Sequence, residues 1–113
     1  MRKTRTMNIG VDKLQVSSEL LRALAHPLRM KIIEFIDKHK SINVNKIYST
    51  LKLEQSITSQ HLKVLRTVGL VNTHREGKYI HYTVDYQRLV TAIKAIDAFA
   101  ALAPTITDDG KDN

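Results

Sequence analysis

The sequence predicts a mainly α-helical domain with a single β-hairpin, in the order helix, helix, helix, helix, strand, strand, helix. Three observations predict it. Apolar residues recur at three- and four-residue spacing over most of the chain. That period gives way once to two β-rich runs on either side of Gly77, and it returns after Val84.

Leu14, Leu20, Leu21 and Leu24 form the first apolar stripe. His26-Pro27 interrupts it, because a residue before proline avoids helical angles while proline itself suits the first helical turn. The second helix is expected from Pro27 to about His39, with Leu28, Ile32, Ile33 and Ile36 inward. A short third helix begins near Asn43 and carries Val44, Ile47 and Leu51. Lys52, Leu53 and Glu54 make a tight turn into a fourth helix, about Gln55 to Val68, with Leu62, Leu65 and Val68 buried. Gly69 can take the left-handed position after it. Leu70–His74 and Tyr79–Val84 flank Arg75-Glu76-Gly77-Lys78, a hairpin with Gly77 at the positive-φ turn position. The last helix, about Tyr86 to Ala103, spaces Leu89, Ile93, Ile96, Phe99 and Ala100 along one side. The chain thus divides into a basic, flexible arm (1–10), one domain (11–103) and a disordered polar tail (104–113).

With 113 residues there is room for one modest core. No apolar run approaches the roughly 20 residues that span a bilayer, and the basic start lacks the apolar stretch of a secretory signal. A cytoplasmic location with no membrane partner is the expectation. The absence of cysteine removes disulfides, thiolate metal sites and thiol redox sensing. The net charge is +7, and residues 1–103 hold 17 basic against 8 acidic side chains. A domain this basic favours a polyanionic partner.

Two short helices joined by a tight turn, the second leading into a hairpin, make a winged helix-turn-helix. The second of those helices has no acid between Gln55 and Val68. Its outward positions are Gln55, Ser56, Ser59, Gln60, Lys63, Arg66 and Thr67, with His61 beside them. Short amides and hydroxyls near a helix start reach base edges and phosphates, and Lys63 and Arg66 suit phosphates further along. His74, Arg75 and Lys78 at the wing suit the duplex backbone or the minor groove, against the single acid Glu76. Double-stranded DNA is therefore the expected partner.

Leu21-Arg-Ala-Leu-Ala-His-Pro-Leu-Arg-Met-Lys-Ile-Ile strongly resembles the second-helix signature of the ArsR/SmtB family of bacterial repressors. Ser59-Gln-His-Leu-Lys-Val-Leu-Arg-Thr-Val-Gly-Leu-Val resembles its recognition helix, and Arg75-Glu-Gly-Lys-Tyr-Ile-His-Tyr-Thr-Val its wing. The resemblance covers roughly residues 11–103 and implies a homodimer, built from the first and last helices, on an inverted-repeat operator. Leu14, Leu21, Leu89, Ile93, Ile96, Phe99 and Ala100 are the expected dimer interface. The small-sided last helix supports this independently, since Phe99 and Leu102 are costly left in water.

Many members of that family release DNA when a metal binds. The resemblance places Asn43 and Asn45 where third-helix thiolates stand in a Glu-Leu-Cys-Val-Cys-Asp-Leu motif, and a neutral amide is a poor ligand for a soft metal. The last helix offers Asp85 and Asp97 and no histidine for the other common site. No metal and no cofactor are expected, which leaves control to an unidentified small-molecule or protein effector, or to none. His74 and His81 are placed to pair across the hairpin, a pairing better suited to tuning the wing or sensing pH.

Other departures bear on base preference. Glu54 stands where relatives often carry a capping serine, Ile57-Thr58 inverts a common Thr-Val pair and turns Thr58 inward, and His26 replaces a frequent aspartate. The competing readings are a protein-interaction winged helix and a non-specific architectural DNA binder. A membrane-surface role ranks third, since it needs an amphipathic helix with a cationic polar face and the last helix offers only Arg88 and Lys94. An enzyme is not expected, for want of a cysteine nucleophile, paired carboxylates or a glycine-rich phosphate loop. Ser56 and Ser59 near His61 lack a third orienting group.

Overall fold

A computed structural model describes residues 15–98. The arm, the tail, and Leu14, Phe99 and Ala100 lie outside the described residues, as do the expected domain limits at 11 and 103. The elements run α1 (15–24), α2 (Pro27–His39), β1 (Ile42–Asn43), α3 (Val44–Leu51), α4 (Gln55–Thr67), β2 (Val71–Glu76), β3 (Tyr79–Val84) and α5 (86–98). Among the described residues no helix is long and apolar enough to cross a membrane.

One element departs from the expected order. The hairpin is part of a three-stranded antiparallel sheet, β1-β3-β2, because Ile42 and Asn43 pair with Tyr82 and His81. Two residues are too few to show a strand period, so only the pairing partner reveals β1. Asn43 serves twice: it ends β1 and caps α3, its Oδ1 accepting the Lys46 N–H at 2.9 Å. The wing turn is also tighter than expected, since Glu76 pairs with Tyr79 and only Gly77 and Lys78 form the loop. Gly77 at φ +63° takes the first loop position, where a two-residue turn needs a positive φ.

The core draws on every helix. Leu20, Ala23 and Leu24 of α1 meet Ile32, Ile33 and Ile36 of α2, Ile47 of α3, and Leu62 and Leu65 of α4. Ile42, Leu70, Val71 and Val84 close it from the sheet side, and Ala92 from α5. Each large aliphatic contributes about 1.5–3 kcal/mol on burial, and in so small a domain none is redundant. Thr58 is the buried polar residue of this set; its hydroxyl donates to the Glu54 carbonyl at 2.8 Å, so the inward turn of Thr58 leaves no unmet group. Leu89 packs partly against the core, and Leu21 is half-buried. Val90, Ile93 and Ile96 of α5 stay exposed at 48, 45 and 41%, alongside Val16 of α1.

Helix ends set the geometry. His26 caps α2, Nδ1 accepting the Leu28 N–H at 3.2 Å, with Pro27 next in line. Tyr86 at the start of α5 donates its hydroxyl to Asp37 near the end of α2, which holds that carboxyl below its usual range. Three helices stop at a residue of positive φ: α2 at Lys40, α3 at Lys52 and α4 at Gly69. After α4, Gly69 sits at φ +83°, its N–H bonds the Arg66 carbonyl at 3.0 Å, and the Leu70 N–H bonds that of Leu65 at 2.9 Å. Leu70 is thereby carried into the core. After α3, Lys52 takes φ +57° with Leu53 N–H bonded to the Tyr48 carbonyl. A side chain in that region costs about 1–2 kcal/mol.

The two positions predict opposite responses in one chemical-denaturation experiment. Lys52→Gly relieves the left-handed penalty, offset in part by glycine's greater entropy, and should stabilise by about 0.5–1 kcal/mol. Gly69→Ala introduces that penalty and sets a Cβ at 3.1 Å from Arg88 Nε. It should destabilise by about 1–2 kcal/mol. Equal signs at the two sites would refute this account of the helix ends.

Candidate nucleic-acid interface

Helical geometry aligns Ser56, Ser59, Gln60, Lys63 and Thr67 along α4, at intervals of three and four residues. All five are exposed, as are Gln55 and Arg66 on the flank. The opposite edge, Thr58, Leu62 and Leu65, is fully buried, so the helix is held by one side and offers the other. That outward side carries cations, amides and hydroxyls and no acid. The Thr67 hydroxyl is turned back to the Lys63 carbonyl at 2.8 Å. Ile57 lies at the edge of the stripe, 40% exposed.

Glu54 is the N-cap of α4, and its side chain makes no capping bond. Its charge still favours the helix N-terminus, where backbone N–H groups are unpaired. It is nonetheless an acid at the end of an otherwise acid-free outward face.

His61 stands apart from the other candidate contacts. It is half-buried and turned toward α2, its Nδ1 accepting from Arg29 Nε at 3.2 Å and its ring 4.6 Å from that of His26. Burial holds its imidazole below the ordinary histidine value, and the neighbouring His26 and Arg29 add to the effect. The sequence marks Arg29 only weakly, as a cation between Leu28 and Ile32 near the inward side of α2.

On the wing, His74, Arg75 and Lys78 are all exposed, but they do not form one cluster. Strand alternation puts His74 opposite His81 and Arg75 opposite Ile80, on different faces of the sheet. The expected pairing of the two histidines is present, with rings stacked 5.4 Å apart. Glu76 lies 3.4 Å from His81 Nε2, so the acid of the wing faces a histidine.

Metal-ligand chemistry does not fit the start of α3. Asn43 Oδ1 is already committed to the Lys46 N–H, and Asn45 is an exposed amide. No group of three His, Cys, Asp or Glu side chains suited to a metal occurs among the described residues.

Residues 26–73 match the model of the bacterial regulatory protein, arsR family. The chain is 38% identical over 84 residues to the transcriptional repressor PagR of Bacillus anthracis, covering 74% of this chain and 84% of that protein. The PagR crystal structure superposes with a TM-score of 0.61 at 36% identity, over 71% of this chain and 93% of the crystallised chain. The transcriptional activator HlyU of Vibrio cholerae is 35% identical over 77 residues, 68% of this chain and 70% of HlyU. A possible transcriptional regulator for arsenical resistance superposes with a TM-score of 0.70 at 27% identity, over 80% of this chain and 95% of that one. The winged helix-turn-helix read from residue spacing and the regulators identified by similarity are one assignment: this chain belongs to the arsR family of bacterial regulatory proteins.

Proposed function

We propose that this chain is a sequence-specific, DNA-binding transcriptional repressor that acts in the cytoplasm as a homodimer on an inverted-repeat operator. The observation that carries the reading is the acid-free outward face of α4, presented by a helix whose other edge is buried. Ser56, Ser59 and Gln60, near the helix start, are the base-reading and phosphate-positioning groups. Lys63 and Arg66 neutralise phosphates, with Gln55 at the first turn. His74, Arg75 and Lys78 contact the backbone or minor groove from the wing, and Ile57 is placed to meet a thymine methyl. The likeness to PagR favours repression over the activation attributed to HlyU.

Exposed apolar residues support the dimer. Val90, Ile93 and Ile96 form an exposed stripe on α5, and Val16 of α1 is exposed as well. A second copy covering that stripe relieves the cost of leaving it in water. Two-fold symmetry then sets the recognition helices roughly 34 Å apart, one turn of the duplex.

Selection from a random duplex pool, with the winner titrated at two salt concentrations, tests the reading. Recovery of an inverted repeat with steep salt dependence supports it; a flat pool with salt-sensitive binding indicates an architectural binder, and no binding at low salt a protein partner. Lys63→Ala and Arg75→Ala should weaken binding to every duplex and reduce the salt slope by about one each. Gln60→Ala should instead relax the preference at one base pair, worth about 1–3 kcal/mol.

Glu54→Ser supplies the missing cap and removes an acid from the binding face. It should stabilise the fold by about 0.5–1 kcal/mol and tighten duplex binding together. A gain in stability with weaker binding would place Glu54 in a favourable contact with DNA.

Ile93→Glu should convert the dimer to monomer in sedimentation velocity. Unchanged sedimentation would move the interface away from α5.

A further inference from the structure

One cluster of titratable side chains lies off the outward face of α4, where α1, α2 and α4 meet. Arg29 is its centre. The guanidinium donates through Nε to His61 Nδ1 at 3.2 Å, and through Nη1 to the carbonyls of Arg22 and Ala23, both at 3.3 Å. Those carbonyls belong to the last turn of α1. His26 closes the cluster, its ring tilted 58° against that of His61 and its Nδ1 committed to the cap of α2. One side chain of α2 therefore ties the end of α1 to the middle of α4.

We propose that Arg29 and His61 are a positioning pair for α4, and that protonation of His61 releases the helix, so that specific duplex binding weakens on acidification. The proposal rests on the DNA-binding reading above and adds a condition to it. The geometry requires an unprotonated Nδ1, because an imidazolium carries a proton on both nitrogens and accepts nothing. Charging the ring therefore removes the bond from Arg29 and sets a cation at hydrogen-bond distance from a guanidinium.

The surroundings offer little relief. From the N-cap and first turn of α2 the ring meets His26 and Arg29, both basic. From α1, Arg22 and Glu19 line the groove beside His26 and Arg29. Glu19 is exposed there, and no ion pair joins it to His61. Burial, His26 and Arg29 all hold the imidazole below its ordinary value of 6.5. Below that value the folded protein binds fewer protons at this site than the unfolded chain. The stabilisation is thus present at neutral pH and lost as pH falls through the histidine range.

The sign separates this role from direct contact. A histidine touching phosphate gains on protonation, so acidification would tighten binding.

The test is fluorescence anisotropy of the full chain on the duplex recovered by selection, between about pH 7.5 and about pH 5.5. His61→Asn keeps an acceptor oxygen near the Nδ1 position and cannot titrate. Relative to this variant, the wild type should lose affinity on acidification by about fivefold or more. Parallel pH profiles, or wild-type binding that tightens relative to the variant, overturn the proposal. Should the variant fail to fold, NMR titration of the wild-type histidines decides. A depressed His61 titration accompanied by shifts of α4 amides is expected, and an ordinary titration or silent amides overturn the pair. Absence of wild-type binding at neutral pH and low salt overturns the DNA reading itself, and the same NMR titration then judges the positioning pair.

Discussion

The domain depends on how a thirteen-residue helix is held by one edge. A helix of that length is marginal alone in water, so α4 owes its order to tertiary packing. Thr58, Leu62 and Leu65 supply that packing, and each lies against the core with almost no exposure. Because side chains one turn apart share a face, burying these three dictates that Ser56, Ser59, Gln60 and Lys63 emerge on the other side. The choice of what faces the core and the choice of what faces a ligand are a single choice.

Entry to and exit from α4 are fixed by backbone geometry at Lys52 and Gly69. The first reverses the chain within three residues of the start of α4, and the second sends Leu70 directly back into the core. Arg88 of α5 donates to the Val68 carbonyl at 3.1 Å, satisfying one of the acceptors left at the end of α4. The helix is thus braced from α1 and α2 through Arg29 and from α5 through Arg88. Rigid support of this kind is what a contacting face requires, since loosely held side chains lose entropy when they bind.

Charge follows the same division. Acids are absent from α4 itself but stand at its borders, Glu54 at the N-cap and Glu76 on the wing. Glu76 is occupied with His81, whereas Glu54 makes no capping bond. The histidines divide likewise. His26 and His61 serve helix ends and packing, while His74 and His81 stack across the wing.

The helices, the hairpin and the outward stripe of α4 were legible in the sequence, because each is written at a spacing of two, three or four residues. Pro27, Gly69 and Gly77 were legible for the same local reason: each takes a backbone angle the turn or helix end requires. Family membership followed from those segments in order. Tertiary structure alone decided what joins distant segments. Ile42–Asn43 became a strand only by meeting β3, about forty residues later in the chain. His61 was set among the contact residues by its place on a polar helix, yet Arg29, 32 positions earlier, draws it inward. His74 and Arg75, adjacent in sequence, were parted by the strand's alternation once the sheet's core face was fixed. Local periodicity determines which face of an element is apolar, and only the folded chain decides which partner stands opposite each residue, because those contacts have no period to read.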